Sequence, residues 1–120
     1  MLTISLTPTE KTVHQHLLAA ATQAIPTLAE ALSAASILRK EATPCYSLLY
    51  LEPKPLPPSL PRVPLEVRFF GPWGAPIQCL LHVLDGALHM IEIFCADSAP
   101  PPEAITLQDI QIIDYTKEIQ

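Results

Sequence analysis

Two β-prone runs, Ile77-Gln-Cys-Leu-Leu-His-Val-Leu84 and Ala87-Leu-His-Met-Ile-Glu-Ile-Phe-Cys95, are separated only by Asp85-Gly86. Asp-Gly suits a two-residue hairpin loop because a type I′ turn needs positive φ at both central positions. The spacing therefore predicts a β-hairpin over residues 77–95. A two-residue loop pairs Leu84 with Ala87, Val83 with Leu88, His82 with His89, Leu81 with Met90 and Cys79 with Glu92. Side-chain alternation then sorts the faces. One carries Ile77, Cys79, Leu81, Val83, Leu88, Met90 and Phe94 with Glu92 as its only charge, and is assigned to the core. The other carries Gln78, Leu80, His82, Leu84, His89, Ile91 and Ile93. That second face is too apolar to stand fully in water, so a cover is expected: the proline-rich loop, a protein partner or a second copy of the chain.

Upstream, Thr7-Pro8-Thr9-Glu10 has the spacing of a capping box with proline at the first helical position. Val13, Leu17, Ala20, Ala21 and Ala24 follow at helical spacing, and Ile25, Leu28, Ala31, Leu32 and Ala35 keep the period beyond Pro26. Two helices are expected, over 8–24 and 27–35, broken at the proline. A short strand at Ile37-Leu38, a turn and a longer strand at 45–51 come next. Six of the fourteen prolines, at 53, 55, 57, 58, 61 and 64, then argue against ladder pairing and for an extended loop. The PxxP spacing of Pro58-Ser-Leu-Pro61 would also suit an SH3-type ligand, though a stiff connector explains the same residues. Leu65, Val67 and Phe69 alternate with Glu66, Arg68 and Phe70, the period of a half-buried strand. Trp73 sits in a Gly/Pro turn, where it would cover one end of the core, and Pro100-Pro101-Pro102 lies in a second rigid loop. Residues 107–114 are read as a final strand near a sheet edge.

A chain of 120 residues, 49% of them apolar, is enough for one domain with its own core. Its net charge of −5, with no cluster of lysine or arginine, lacks the footprint of nucleic-acid or anionic-membrane binding. No basic, apolar leader precedes Thr7 and no stretch has the length of a membrane span, so the cytoplasm is the expected compartment. Cys45, Cys79 and Cys95 form an odd set with no C-x-x-C spacing and are read as small buried apolar residues.

Three residues are candidates for chemistry. In the register above His82 faces His89, and two imidazoles at cross-strand distance can share a metal ion or act as a pH switch; no third ligand is evident, and both suit half-buried amphipathic positions equally well. A one-residue slip, such as a bulge, would separate them. Glu92 on an apolar face has the setting of a buried acid with a raised pKa, against the simpler readings of an ion pair with Arg68 on a neighbouring strand or exposure at the strand end. His14 and His16, near the start of the first helix, are read as facing solvent. The phosphate-binding, nucleophile-elbow, zinc-protease and EF-hand patterns are absent. No cofactor is implied, and an enzyme is disfavoured.

The segment His82-Val-Leu-Asp-Gly-Ala-Leu-His-Met-Ile-Glu-Ile93 resembles the hairpin motif, V-x-D-G-x-L-x-x-L-E in type, of a widespread family of small uncharacterised bacterial proteins. Asp85, Gly86 and Glu92 are the matching positions, and the likeness extends over residues 25–113. In the family's pattern a Cys-Gly-Cys-Pro element stands where this chain has Thr43-Pro-Cys-Tyr-Ser-Leu-Leu, so a role for those thiols does not carry over. The resemblance implies a fold more than an activity. Its small acidic members are similar to immunity proteins, which bind a toxin through a sheet face or loops.

These readings converge on an α+β domain with two N-terminal helices on one face of a mostly antiparallel sheet of five or six strands. The expected role is a binding protein, immunity-like or homodimeric, acting through the second sheet face and the proline-rich loop. The alternative is a small enzyme or a ligand- or metal-binding protein using His82, His89 and Glu92.

Overall fold

A computed structural model describes residues 4–71, 75–102, 105 and 109–117. Helices α1 (Pro8–Ala24) and α2 (Pro26–Ala34) are followed by strands β1 (Ile37–Ala42), β2 (Tyr46–Leu51), β3 (Leu65–Phe70), β4 (Ile77–Leu84), β5 (Ala87–Cys95) and β6 (Asp109–Asp114). The six strands form one sheet in the order β1-β2-β5-β4-β3-β6, every neighbouring pair antiparallel. Trp73 lies outside the described residues.

The capping box forms as expected. The Glu10 backbone N–H donates to Thr7 Oγ1 at 3.1 Å, and the Thr7 N–H donates to Glu10 Oε1 at 2.9 Å. Pro26 has no N–H to continue α1, and the chain breaks at Ile25 before α2 begins. Val13, Leu17, Ala20 and Ala21 of α1, with Leu28, Ala31 and Leu32 of α2, are buried against Leu49, Leu65, Val67, Phe69, Cys79, Leu81 and Ile91 of the sheet. The alanines let the helices approach closely. Lys40 of β1 donates to Glu10 at 2.7 Å, tying the sheet edge to the start of α1, and Thr9 Oγ1 donates to the carbonyl of Pro102 at 2.7 Å. His16 does not face solvent alone: it meets Phe69 edge-on, ring centroids 5.4 Å apart.

Strands β2 and β3 flank the β4–β5 hairpin, so the proline-rich link between them must pass the hairpin tip. Between its prolines it makes backbone bonds: Leu56 N–H to Gly86 O at 2.9 Å, Leu88 N–H to Lys54 O at 2.9 Å, and Val83 N–H to Arg62 O at 2.8 Å. The prolines donate nothing, but the residues between them pair. Leu56 enters the core and the 54–57 stretch lies beside α2. The link therefore seals the tip of the core, and no element among the described residues layers over the second face of the sheet.

The hairpin turn is as the sequence dictates, with Asp85 at φ 52° and Gly86 at φ 72°. Leu84 pairs with Ala87 and Val83 with Leu88. Beyond that point the expected register fails. The ladder shifts by one residue between His82 and Val83, so His82 opposes Met90, Leu81 opposes Ile91, Leu80 opposes Glu92 and Cys79 opposes Ile93. His89 is the extra residue of a β-bulge. Strict alternation from Leu88 would have driven Met90, Glu92 and Phe94 into the core. One inserted residue instead buries Ile91, Ile93 and Cys95 and returns Glu92 to the open face, avoiding the cost of an unpaired carboxylate in an apolar interior.

Candidate functional site on the helix-free sheet face

The bulge decides which residues share the open face. With Leu88 and Ile91 both buried, His89 and Met90 both turn outward. His82 and His89 therefore stay on one face, although they are no longer paired opposite each other. His82 Nε2 lies 2.9 Å from Glu92 Oε1, the side chains being 13% and 31% exposed. Glu92 is thus neither a buried acid of the core nor a partner of Arg68. Strand β4 stands between β5 and β3, and Glu92 meets the histidine on the adjacent strand instead.

Nδ1 of His82 is buried without a hydrogen-bond partner among the described residues. The tautomer with hydrogen on Nε2 suits this arrangement, since it donates to the carboxylate and leaves Nδ1 as an acceptor. His89 meets Tyr50 edge-on, ring centroids 5.8 Å apart. Burial, with the nearby charges of Arg62 and His82, pulls the His89 imidazole below its ordinary pKa, and Asp85 opposes that in part. Among the described residues no three of His, Cys, Asp and Glu are grouped to hold a metal ion.

A second polar cluster was not foreseen. Glu66 on β3 points to the helix-free face, yet is only 2% exposed. Its Oε2 accepts from Arg68 Nε at 2.6 Å and from Gln78 Nε2 at 3.1 Å, and its Oε1 accepts from the Tyr115 hydroxyl at 2.6 Å. Burial pushes the Glu66 carboxyl up, but the bonds from Arg68, Tyr115 and Gln78 outweigh it and hold the pKa below the usual carboxylate value. Alternation in β3 placed Glu66 on this face; nothing local announced Tyr115, which follows β6 and arrives only because β6 pairs with β3.

Around these clusters the face is mostly hydrophobic. Tyr46, Leu48 and Tyr50 of β2, Met90 and Phe94 of β5, Leu80 of β4, Phe70 of β3 and Ile113 of β6 stand at outward positions, all half-buried by their neighbours in the sheet. Arg39 of β1 stacks 4.0 Å from the Tyr50 ring centroid and pairs with Glu41 at 2.7 Å. Of the chain's three arginines, Arg39 and Arg68 belong to this face and Arg62 lines a cleft at its border, while none of the four lysines stands at an outward strand position. Four carboxylates, Glu41, Glu66, Glu92 and Asp109, oppose the three arginines. The face is thus nearly balanced in charge within a chain of net −5.

The thiols divide. Cys79 and Cys95 are buried, and burial pushes both pKa values up, Cys79 well above its ordinary value, so neither thiolate is available at neutral pH. Cys45 is exposed, contrary to the reading of all three as buried residues. No helix among the described residues is long and apolar enough to cross a membrane.

Compared with profiles of known families, with curated proteins and with solved structures, the chain matches none.

Proposed function

We propose that the chain is a binding protein of the bacterial cytoplasm whose helix-free sheet face pairs with the same face of a second copy. The composition of that face carries the reading. Tyrosine, phenylalanine, methionine and arginine gather there and lysine is missing, which is how the centre of a protein interface differs from ordinary surface. Near-balance of charge suits self-pairing, where two identical faces must meet without net repulsion, better than a strongly acidic or basic face would. The sheet, about 24 Å across and about 20 Å along its strands, offers a footprint on the order of 500 Å² per copy, which for two copies reaches the lower bound of a specific interface.

The hairpin motif carried by Asp85, Gly86 and Glu92 supports a binding role through its resemblance to a small bacterial family, whose small acidic members are similar to immunity proteins, which bind through a sheet face or loops. Three unpaired cysteines, two of them buried, fit a reducing compartment.

Sedimentation equilibrium of the full chain tests the proposal. The expected result is a dimer that dissociates on dilution, and a monomer for Leu48→Lys with unchanged far-UV circular dichroism. A wild-type chain that stays monomeric up to its solubility limit overturns it.

The 2.9 Å approach of His82 to Glu92 favours a second reading, in which this pair, with His89 elsewhere on the same face, binds a small ligand or supplies two ligands to a metal ion and supports chemistry on it. Titration with zinc, followed through the imidazole NMR signals of His82 and His89, decides that reading. Unmoved signals eliminate its metal form.

A further inference from the structure

A cavity of about 650 Å³ opens on the helix-free face between the link and β3–β4. Its size is that of a small-molecule site. Pro61, Val63 and Leu80 supply apolar walls, and Arg62, Arg68 and Tyr115 supply the polar ones. Glu66 and Gln78 complete the lining from the strands.

The polar wall is fixed in place. Arg68 donates through Nε to the buried Glu66 carboxylate, which sets the plane of the guanidinium beside the Tyr115 hydroxyl and leaves its terminal NH₂ groups without a carboxylate partner among the described residues. The same carboxylate accepts from Tyr115 and Gln78, so one anion consumed inside the protein holds three groups around the cavity. Arg62 makes no ion pair with any described residue. Arg62 and Arg68 thus both line a concave surface whose one carboxylate, Glu66, is already taken by Arg68, Gln78 and Tyr115.

We infer that this cavity binds a small monoanionic carboxylate with a planar apolar body. The carboxylate sits on the terminal NH₂ groups of Arg68 with Arg62 beside it, and the body lies against Leu80, Val63 and the Tyr115 ring. A single fixed guanidinium edge matches the two coplanar oxygens of a carboxylate, and the apolar walls need a body to desolvate them.

The test is a titration of the isotope-labelled 120-residue chain with benzoate, followed by NMR. Benzamide serves as the neutral analogue and inorganic phosphate as the anion without a body. Saturable shifts at the Arg68 Nε–Hε and at the backbone of Arg62, Gln78, Leu80 and Tyr115 are expected with benzoate. Binding should weaken about tenfold with benzamide and about tenfold in Arg62→Ala, the loss of one charge-assisted contact. The inference is overturned if benzoate leaves those signals unmoved, if benzamide binds as well, if inorganic phosphate binds as well, or if Arg62→Ala changes nothing. It does not rest on self-pairing: the Leu48→Lys variant, whose substitution lies on β2 away from the cavity, should bind benzoate at least as tightly as the wild type, whose paired face would cover the cavity.

Discussion

The two faces of the sheet are built from the same strands yet obey different rules. At the centre of the helix-covered face burial is complete and apolar, with Leu49, Leu65, Val67, Phe69, Ile77, Cys79, Leu81 and Ile91 all at 0% exposure, while Ile112 on the edge strand β6 stays 54% exposed. The other face holds half-buried aromatic and aliphatic side chains interrupted by His82–Glu92 and by the Glu66 cluster. Stability resides mainly on the first face, while the second sets hydrogen-bonded and charged groups among its apolar side chains. The difference can be broken experimentally.

The largest effect is expected from Phe69→Ala, which empties a fully buried site under α1 and should cost about 3–5 kcal/mol in urea denaturation. Tyr50→Ala, on the open face, should cost about 1 kcal/mol or less while weakening self-association, and equal costs for the two would erase the distinction. Next comes Glu66→Gln, which withdraws the charge that Arg68 leans on and keeps the shape; roughly 2 kcal/mol is expected, since Arg68 is about a third exposed and water screens part of the pair. A loss within error would mean that the cluster is ornamental surface.

Acid titration gives a graded effect on both faces. Glu10 is pushed up by burial, but bonds from Lys40, the Thr7 backbone and Ser47 prevail and hold its carboxyl below 4.5, as the Glu66 cluster does for Glu66. A lowered folded pKa means that the unfolded chain takes up protons first. The stabilisation from both groups is therefore complete above the ordinary value of 4.5 and is lost as pH falls below it through the folded values. Thermal melts should show a steeper loss below that pH in the wild type than in Glu66→Gln.

The smallest expected effect belongs to the turn. A methyl group on Gly86 would meet nothing within 4 Å, so Gly86→Ala tests conformation alone, at φ 72°. A cost of about 1 kcal/mol is expected, and a neutral result would show that the turn relaxes.

Much of the architecture was legible in the sequence. The capping box at Thr7, the break at Pro26, the hairpin at Asp85-Gly86 and the alternation from Leu65 to Phe70 each depend on neighbours a few residues away, and each stands where the residues placed it. The candidate site was legible only in part. His82, His89 and Glu92 do share a face, but through a different register from the one that two-residue alternation predicts. The signal was present all the same: a register that put Glu92 among core residues, with Ile91 and Ile93 outside, was the wrong sorting, and a single bulge corrects it.

Sequence by itself determined the elements, because capping, proline geometry and the φ of a turn are local energies decided within one stretch of chain. Only the tertiary structure decided the bulge at His89, the partner of Arg68 and the burial of Glu66. Those depend on which strands become neighbours, and on the competition between apolar and charged side chains for one interior, a choice that no segment makes alone.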